Sequence, residues 1–588
     1  MPLATRLSLA LSNSTILEQV LTRKLRLIEA GPSAPEELGI NVPGMFASTI
    51  KGPYDWNFSS IPQTNLDGRS VPLTRGKVLG GSSALNYMVW NRASAPEYDA
   101  WESLGNPGWN WTTVSSGMAK SENFTGIDTS DYGHIARGTS GPIHTVVNRY
   151  RTEQELAWVP TLQNLGLVHN LESLGGEPIG VMIQPSSVNP DNYTRSYSAN
   201  SYLPIAGPNL DVLLSTRVAK VNFANGPRRR KIRANAITSV NLEGDLTATG
   251  VTLQDGTIID ARKEVILSAG SLQTPGLLEL SGIGRKEVLH AAGIEQILDL
   301  PGVGENLQDH YILGVGYQLK PGYTSLDSLK YNTTYVAEQF NLWEEGQISQ
   351  YDETFSGFSF LNWRQILGND STLINLAQQA IGNSTNVVDE TKLSFLSDYT
   401  VAQVEMIFAD GLIGPPYPSA DDPLYGSNFI TIAGVSMRPI ARGSVHIRSA
   451  NISQGPIIDP RYMSSKYDLQ AQVEAVKFAR KVAQTKPLAD FLVGEYVPGL
   501  ESVNSDDEWA DYVTKYLDTI FHYAGTCAML PLEDGGVVDP RLRVWGTRNL
   551  RVVDASVIPV LIASHTQSVV YGIAELAAEI IIEDHKGS

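Results

Sequence analysis

Two histidines near the C-terminus, His522 and His565, are the side chains best suited to moving a proton at neutral pH. An unperturbed imidazole, with a pKa of ~6.5, is mostly neutral at pH 7 and accepts a proton directly. Each stands among small and hydroxylated residues, in Phe521-His522-Tyr523-Ala524-Gly525-Thr526 and Ser564-His565-Thr566-Gln567. Asp554 lies between them, at the end of Leu550-Arg551-Val552-Val553-Asp554. A lone histidine is usually structural. Two at strand-to-helix corners, with an acid between them, point to acid–base chemistry.

Other stretches suit a large ligand. Arg75-Gly76-Lys77-Val78-Leu79-Gly80-Gly81-Ser82-Ser83-Ala84-Leu85-Asn86-Tyr87 joins paired glycines, which allow close backbone approach, to hydroxyl and amide side chains. Ser268 to Gly284 reads as a strand end, a small-residue turn and a short helix with Pro275 early in it. Glu29 ends a strand-like run. In a dinucleotide fold such an acid accepts hydrogen bonds from ribose hydroxyls, although a solvated strand end looks the same in sequence.

These residues must be positioned by a chain of 588 residues, enough for two or three domains or for two interleaved ones. Hydrophobic residues form 42% and charged residues 18% of it, which argues against disorder. The formal net charge of −18 repels phosphate backbones, so a nucleic-acid partner is not expected. The basic run from Arg228 to Arg233 reads as a solvated loop. Cys527 is the single cysteine, so no internal disulfide or multi-cysteine metal site is possible, and no metal is expected. No apolar run is long enough for a membrane helix, and the N-terminus has no clear signal peptide. Frequent sequons, Asn57, Asn192 and Asn451 among them, hint at the secretory pathway; a cytoplasmic location is the alternative.

The element pattern is mixed. Leu3 to Leu11 is amphipathic at helical spacing, and Lys24 to Glu29 reads as a strand. Leu210 to Val221, Ala248 to Gly256, Glu264 to Ser268 and Leu550 to Asp554 also read as strands. Residues 320–520 read as helix-like and loop-rich, and Ser568 to Ile582 as an apolar helix. Strands mixed with helices give an α/β or α+β fold, with one domain assembled from separated segments.

Arg75 to Arg92, Ser268 to Gly284 and the paired-histidine segment together resemble the glucose-methanol-choline (GMC) oxidoreductases. Leu27 to Pro32 and Pro301 to His310 match further elements, and His565-Thr566-Gln567 is most similar to the aryl-alcohol oxidase branch. The resemblance implies an α/β fold: a Rossmann-like FAD-binding domain from residues 1–95, 205–310 and 525–588. An interleaved α+β substrate-binding domain would comprise 96–204 and 311–524. It implies FAD as cofactor, with Glu29 at the adenosine ribose and Val218 at the adenine. Arg75, Val78, Gly81, Ser82 and Asn86 would follow the pyrophosphate and flavin. Asp554, Ala555, Thr566 and Gln567 would lie near the ribityl chain and flavin.

The same resemblance implies His522 as general base for a primary alcohol, aromatic or allylic, with His565 bonded to the same oxygen. Tyr87, Trp90, Phe521 and Tyr523 would line an apolar pocket, and oxygen or a quinone would take the electrons. The setting would be fungal, lignin-related or in secondary metabolism. Two other outcomes are a cyanohydrin lyase with structural flavin and an inactive scaffold. The family opens with a strand and a Gly-rich turn, whereas residue 1 here lies at the start of the helix that follows them. A truncated gene is the expected explanation; a protein that has lost tight FAD binding is the alternative. As it stands, the chain is expected to leave neighbouring strands unpaired and to bind FAD weakly.

Overall fold

The computed structural model describes residues 24–126, 137–224 and 246–586. The amphipathic stretch at Leu3 to Leu11 and the basic run at Arg228 to Arg233 lie outside the described residues. The strands that matter are β1 (Leu25–Ile28), β2 (Gly180–Ile183), β3 (Leu210–Leu213), β4 (Val218–Phe223), β5 (Ala248–Leu253), β6 (Ile258–Asp260) and β7 (Val265–Leu267). They continue with β8 (Tyr311–Leu319), β9 (Gly357–Leu361), β10 (Val404–Ala409), β11 (Phe429–Ser436), β12 (Leu492–Val497) and β13 (Leu550–Val552). The helices that matter are α1 (Ala95–Ser103), α2 (Trp111–Ser121), α3 (Thr274–Leu280), α4 (Lys466–Ala483), α5 (Asp506–Tyr516) and α6 (Gln567–His585).

Two short parallel ladders carry the strand tips expected at a nucleotide site. β1 pairs with β3 from Leu25↔Leu210 to Ile28↔Leu213, and β7 pairs with β13 from Val265↔Leu550 to Leu267↔Val552. Among the described residues β1 and β7 do not pair with each other, and both line one cavity. The single strand expected over Leu210 to Val221 is instead two strands in different sheets. Ser215 turns the chain at φ +49°, and the Ser215 and Thr216 N–H groups donate to the carbonyls of Gly31 and Glu29. β4 then starts an antiparallel sheet with β5 and β6.

The reading of 320–520 as helix-like and loop-rich is corrected by the largest sheet. Its strand order is β12-β8-β11-β10-β9-β2, antiparallel throughout, with Asp518–Thr519 added to β8. β10 and β11 are buried at every position, so their residues show no alternation to mark a strand. α4 covers the sheet with a stripe at helical spacing: Tyr467, Ala471, Ala475, Ala479 and Val482. Its first turn is capped by Ser465 Oγ, which accepts from the Asp468 N–H at 3.0 Å.

α1 and α2, expected in the substrate-binding part, bury Tyr98, Trp101, Val114 and Met118 in the same core as β7, β13 and α6. α2 and α6 cross at two glycines. A Cβ on Gly117 would stand 2.7 Å from the Gly572 carbonyl oxygen, and one on Gly572 2.8 Å from Met118 Cγ. This close crossing fixes α6, whose first residue opens onto the cavity. Cys527 is buried in that core. Among the described residues, no helix is long and apolar enough to cross a membrane.

Candidate active site

His522 sits on a turn held from three sides. Its backbone N–H donates to Asp309 Oδ1 at 3.0 Å. Asp309 Oδ2 accepts from the hydroxyls of Tyr462 at 2.6 Å and Thr519 at 2.5 Å. Burial raises the Asp309 carboxyl to about 6 against the pull of those hydroxyls. Arg75 closes the third side: its Nη2 donates to the Phe521 carbonyl at 2.6 Å, and its guanidinium lies 4.3 Å from the Tyr523 ring centroid. Phe521 adopts φ +64°, a left-handed conformation costly for a bulky residue and kept here by those bonds.

The imidazole of His522 is buried between two others. His522 Nδ1 is 2.8 Å from His310 Nδ1, with the rings edge to face. The His565 ring centroid lies 4.7 Å away at 76°. Burial pushes His522 well below its usual range, and the charges of His565, His310 and Arg75 add to this. Burial lowers His310 to about 3. Both rings are therefore neutral at pH 7. With Nδ1 engaged by His310, Nε2 is the His522 nitrogen left for the cavity, which the residue lines.

His565 is fixed through its other nitrogen. Nε2 is 2.9 Å from Glu405 Oε1, and the backbone N–H donates to Asn91 Oδ1 at 2.9 Å. Its ring stands perpendicular to Phe358, with centroids 5.7 Å apart. With Nε2 committed to Glu405, Nδ1 is the nitrogen left for a ligand.

Both histidines line one end of a cavity of about 1830 Å³. This exceeds the roughly 300–1,000 Å³ of an ordinary small-molecule site and has room for a dinucleotide beside a substrate. Glu29 enters at the tip of β1 and Val218 at the start of β4; Ala555, Thr566 and Gln567 lie around the tip of β13 and the start of α6. Arg75, Gly81, Ser82, Asn86 and Asp554 also line it. Gly81, at φ +54°, has no atom within 4 Å of the place a Cβ would take, so the backbone is open to close approach. Burial raises the Glu29 carboxyl, and one of its oxygens accepts from the Gly31 N–H at 2.8 Å. An acid at a strand tip, an open glycine turn and the first turn of α6 suit a ribose, a ligand backbone and an anionic group. The residues fit FAD.

Several expected contacts have other partners. Val78 is buried with Ile40, Ala84, Leu85 and Tyr197, and its side chain does not line the cavity. Asp554 takes four protein donors: Gly270 N–H at 2.8 Å and Thr274 Oγ1 at 2.6 Å on Oδ2, and the Ser556 N–H and hydroxyl on Oδ1. It is thus the tie between the tips of β7 and β13. Arg75 spends its guanidinium on the His522 turn. Tyr87 and Phe521 line the cavity, where Tyr87 stacks on Phe355 with centroids 6.0 Å apart. Trp90 packs on Tyr571 and does not line it. Tyr523 touches the cavity but lies beneath Arg75.

His310, Asp309 and Glu405 have clear roles that the sequence reading did not assign. The first two stood at the end of the Pro301 to His310 stretch; a lone acid in the apolar run Val404-Glu405-Met406-Ile407-Phe408 was the signal for the third.

Comparison with known proteins agrees with this geometry. Residues 21–312 match the N-terminal and residues 439–574 the C-terminal domain of the GMC oxidoreductases. The GMC oxidoreductase family protein Mala s 12 of Malassezia sympodialis is 34% identical over 592 aligned residues, covering 98% of this chain and 90% of that one. An FAD-dependent oxidoreductase from Chaetomium thermophilum superposes with a TM-score of 0.85 at 27% identity, over 99% of this chain and 98% of the other. A fungal aryl-alcohol oxidase gives 0.81 at 26%, over 99% and 97%. By sequence and by fold, this chain belongs to the GMC oxidoreductase family, whose cofactor is FAD.

Proposed function

We propose that the protein oxidises the CH–OH group of a primary alcohol, aromatic or allylic, with His522 as the general base. The observation that carries this reading is the pair His522 and His565, 4.7 Å apart at the cavity end, each with one nitrogen already committed to a buried partner. His522 Nε2 takes the hydroxyl proton of the alcohol. His565 Nδ1 meets the same oxygen, and Glu405 holds the ring against rotation. FAD, when bound, accepts the two electrons and the hydrogen that leave the carbinol carbon as hydride. The carbon becomes a carbonyl, so electrons and protons balance. A positioned base of this kind contributes roughly 10²–10⁴-fold.

Burial of His522 supports the base role, because it keeps the imidazole unprotonated through and below neutral pH. Tyr87, Phe355, Phe358, Ile407 and Ala409 give this end of the cavity an apolar wall suited to a planar aromatic or allylic group. The likeness to a fungal aryl-alcohol oxidase supports the same class. The test is an anaerobic screen of primary alcohols for bleaching of the flavin spectrum, then re-oxidation by air or by a quinone. Bleaching by benzylic or allylic alcohols but not by short saturated ones supports the reading. Bleaching by none overturns it, and favours a lyase. The faster oxidant identifies the electron acceptor.

A further inference from the structure

Among the described residues the structure seals four arginines almost completely: Arg92, Arg195, Arg438 and Arg551. Three of them close on carboxylates, Arg438 on Glu97. Arg92 meets Glu122 at 2.9 Å, and Arg551 meets Glu264 at 2.9 Å and Asp584 at 2.6 Å. Arg195 has no acid partner among the described residues. Its Nε donates to the Ile40 carbonyl at 2.6 Å, and its Nη1 to the Asn86 carbonyl at 2.7 Å and to Asn86 Oδ1 at 2.9 Å. The Ser83 carbonyl is at 3.5 Å, and Nη2 has no hydrogen-bond partner. Sealing a guanidinium without a counter-charge is costly and calls for a compensating role. Burial lowers its pKa to about 9, which leaves it charged at pH 7.

The charge lies directly behind the cavity wall. Asn86 Oδ1 is occupied by Arg195 and by the Met88 N–H, so the amide cannot flip. Its Nδ2 donates to Gln567 Oε1 at 2.6 Å, and Gln567 Nε2 donates to Ser187 Oγ at 2.8 Å. Asn86 and Gln567 both line the cavity. Gln567 is also the first residue of α6, whose N-terminus carries roughly half a positive charge. Two positive sources therefore act on one wall.

We propose that Arg195 supplies an uncompensated positive charge behind the Asn86–Gln567 wall, where it favours the negative charge that bound FAD gains on accepting a hydride. The inference rests on the flavin chemistry proposed above. Arg195 is a positioning and electrostatic residue; it does not touch the substrate. A purely structural role would tie Asn86 to Ile40 and leave the electron affinity of the flavin unaltered.

The test is sulfite binding to the FAD-loaded full chain, since the reversible adduct also places negative charge on the cofactor and needs no turnover. Wild type, Arg195→Met and Arg195→Lys are titrated and followed by the flavin spectrum. Arg195→Met is expected to weaken sulfite affinity at least ten-fold; the same factor in the two-electron equilibrium lowers the potential by about 30 mV. Arg195→Lys, which keeps the charge but changes the hydrogen bonds, is expected to stay within three-fold of wild type. Unchanged affinity in Arg195→Met overturns the inference. If Arg195→Met loads no FAD, Arg195→Lys decides: near-wild-type affinity supports the charge, and a ten-fold loss refutes it. Wild type that loads no FAD, or is bleached by no alcohol, sinks the proposed function and this inference with it.

Discussion

His522 and His310 share one hydrogen bond, Nδ1 to Nδ1 at 2.8 Å, and it decides which nitrogen of His522 reaches the substrate. His310 is fully buried, and its Nδ1 engages that nitrogen of His522 and leaves Nε2 for the cavity. His310 acts through His522, and the pair has a consequence for stability. The folded pKa of His310 is about 3, below the ordinary 6.5 of the unfolded chain. As pH falls from 6.5, the unfolded chain takes the proton first, so stability is full above 6.5 and is lost progressively towards 3. By pH 5 the loss from this one group is roughly 2 kcal/mol. His310→Phe is expected to remove that share, giving a smaller drop in urea midpoint between pH 7 and pH 5 than wild type. Equal drops in the two proteins contradict the neutral, buried His310.

Glu405 orients His565 and has a second oxygen with no hydrogen-bond partner. Glu405→Gln keeps the shape and removes the charge. Hydrogen bonds to charged groups are worth about 1.5–3 kcal/mol, so the rate of flavin reduction by alcohol should fall roughly ten- to hundred-fold. The absorbance of bound flavin should not change. Stopped-flow reduction at saturating alcohol measures this, and an unaltered rate would show that His565 needs no acid to hold it.

Asp554 joins the tips of β7 and β13 through four donors. Asn in its place offers one carbonyl oxygen and an amide that is itself a donor. Two or more buried donors then lose their acceptor, which costs about 2–4 kcal/mol. Asp554→Asn should show that loss in equilibrium unfolding and also retain FAD less well on dialysis, because the tips that flank the cofactor separate. Wild-type stability would mean that the tie is dispensable.

The sequence carried the strand tips and the turns that meet at the cavity, because glycine pairs, a terminal acid and histidines in small-residue settings have local causes. It did not carry the large antiparallel sheet. β9, β10 and β11 are buried on both faces, so their apolar runs lack the alternation that distinguishes a strand from a buried helix. The break at Ser215 was equally hidden, since it depends on carbonyls of Gly31 and Glu29 far away in sequence. Of the site, His522 and His565 could be identified by residue type. Their partners could not, because His310, Asp309 and Glu405 come from β8 or its approach and from β10, and only the fold brings them together. Val78 and Asp554 were assigned to the cofactor by resemblance; Val78 packs in a core cluster, and Asp554 lines the cavity while tying β7 to β13.

The base assignment is the centre of this account, and one measurement addresses it most directly. FAD-loaded wild type and His522→Ala are mixed anaerobically with a primary benzylic alcohol, and flavin bleaching is followed by stopped flow. The account predicts rapid bleaching of wild type and a rate roughly 10²–10⁴-fold lower in His522→Ala, with the bound flavin spectrum intact in both. Equal rates in the two proteins would contradict it.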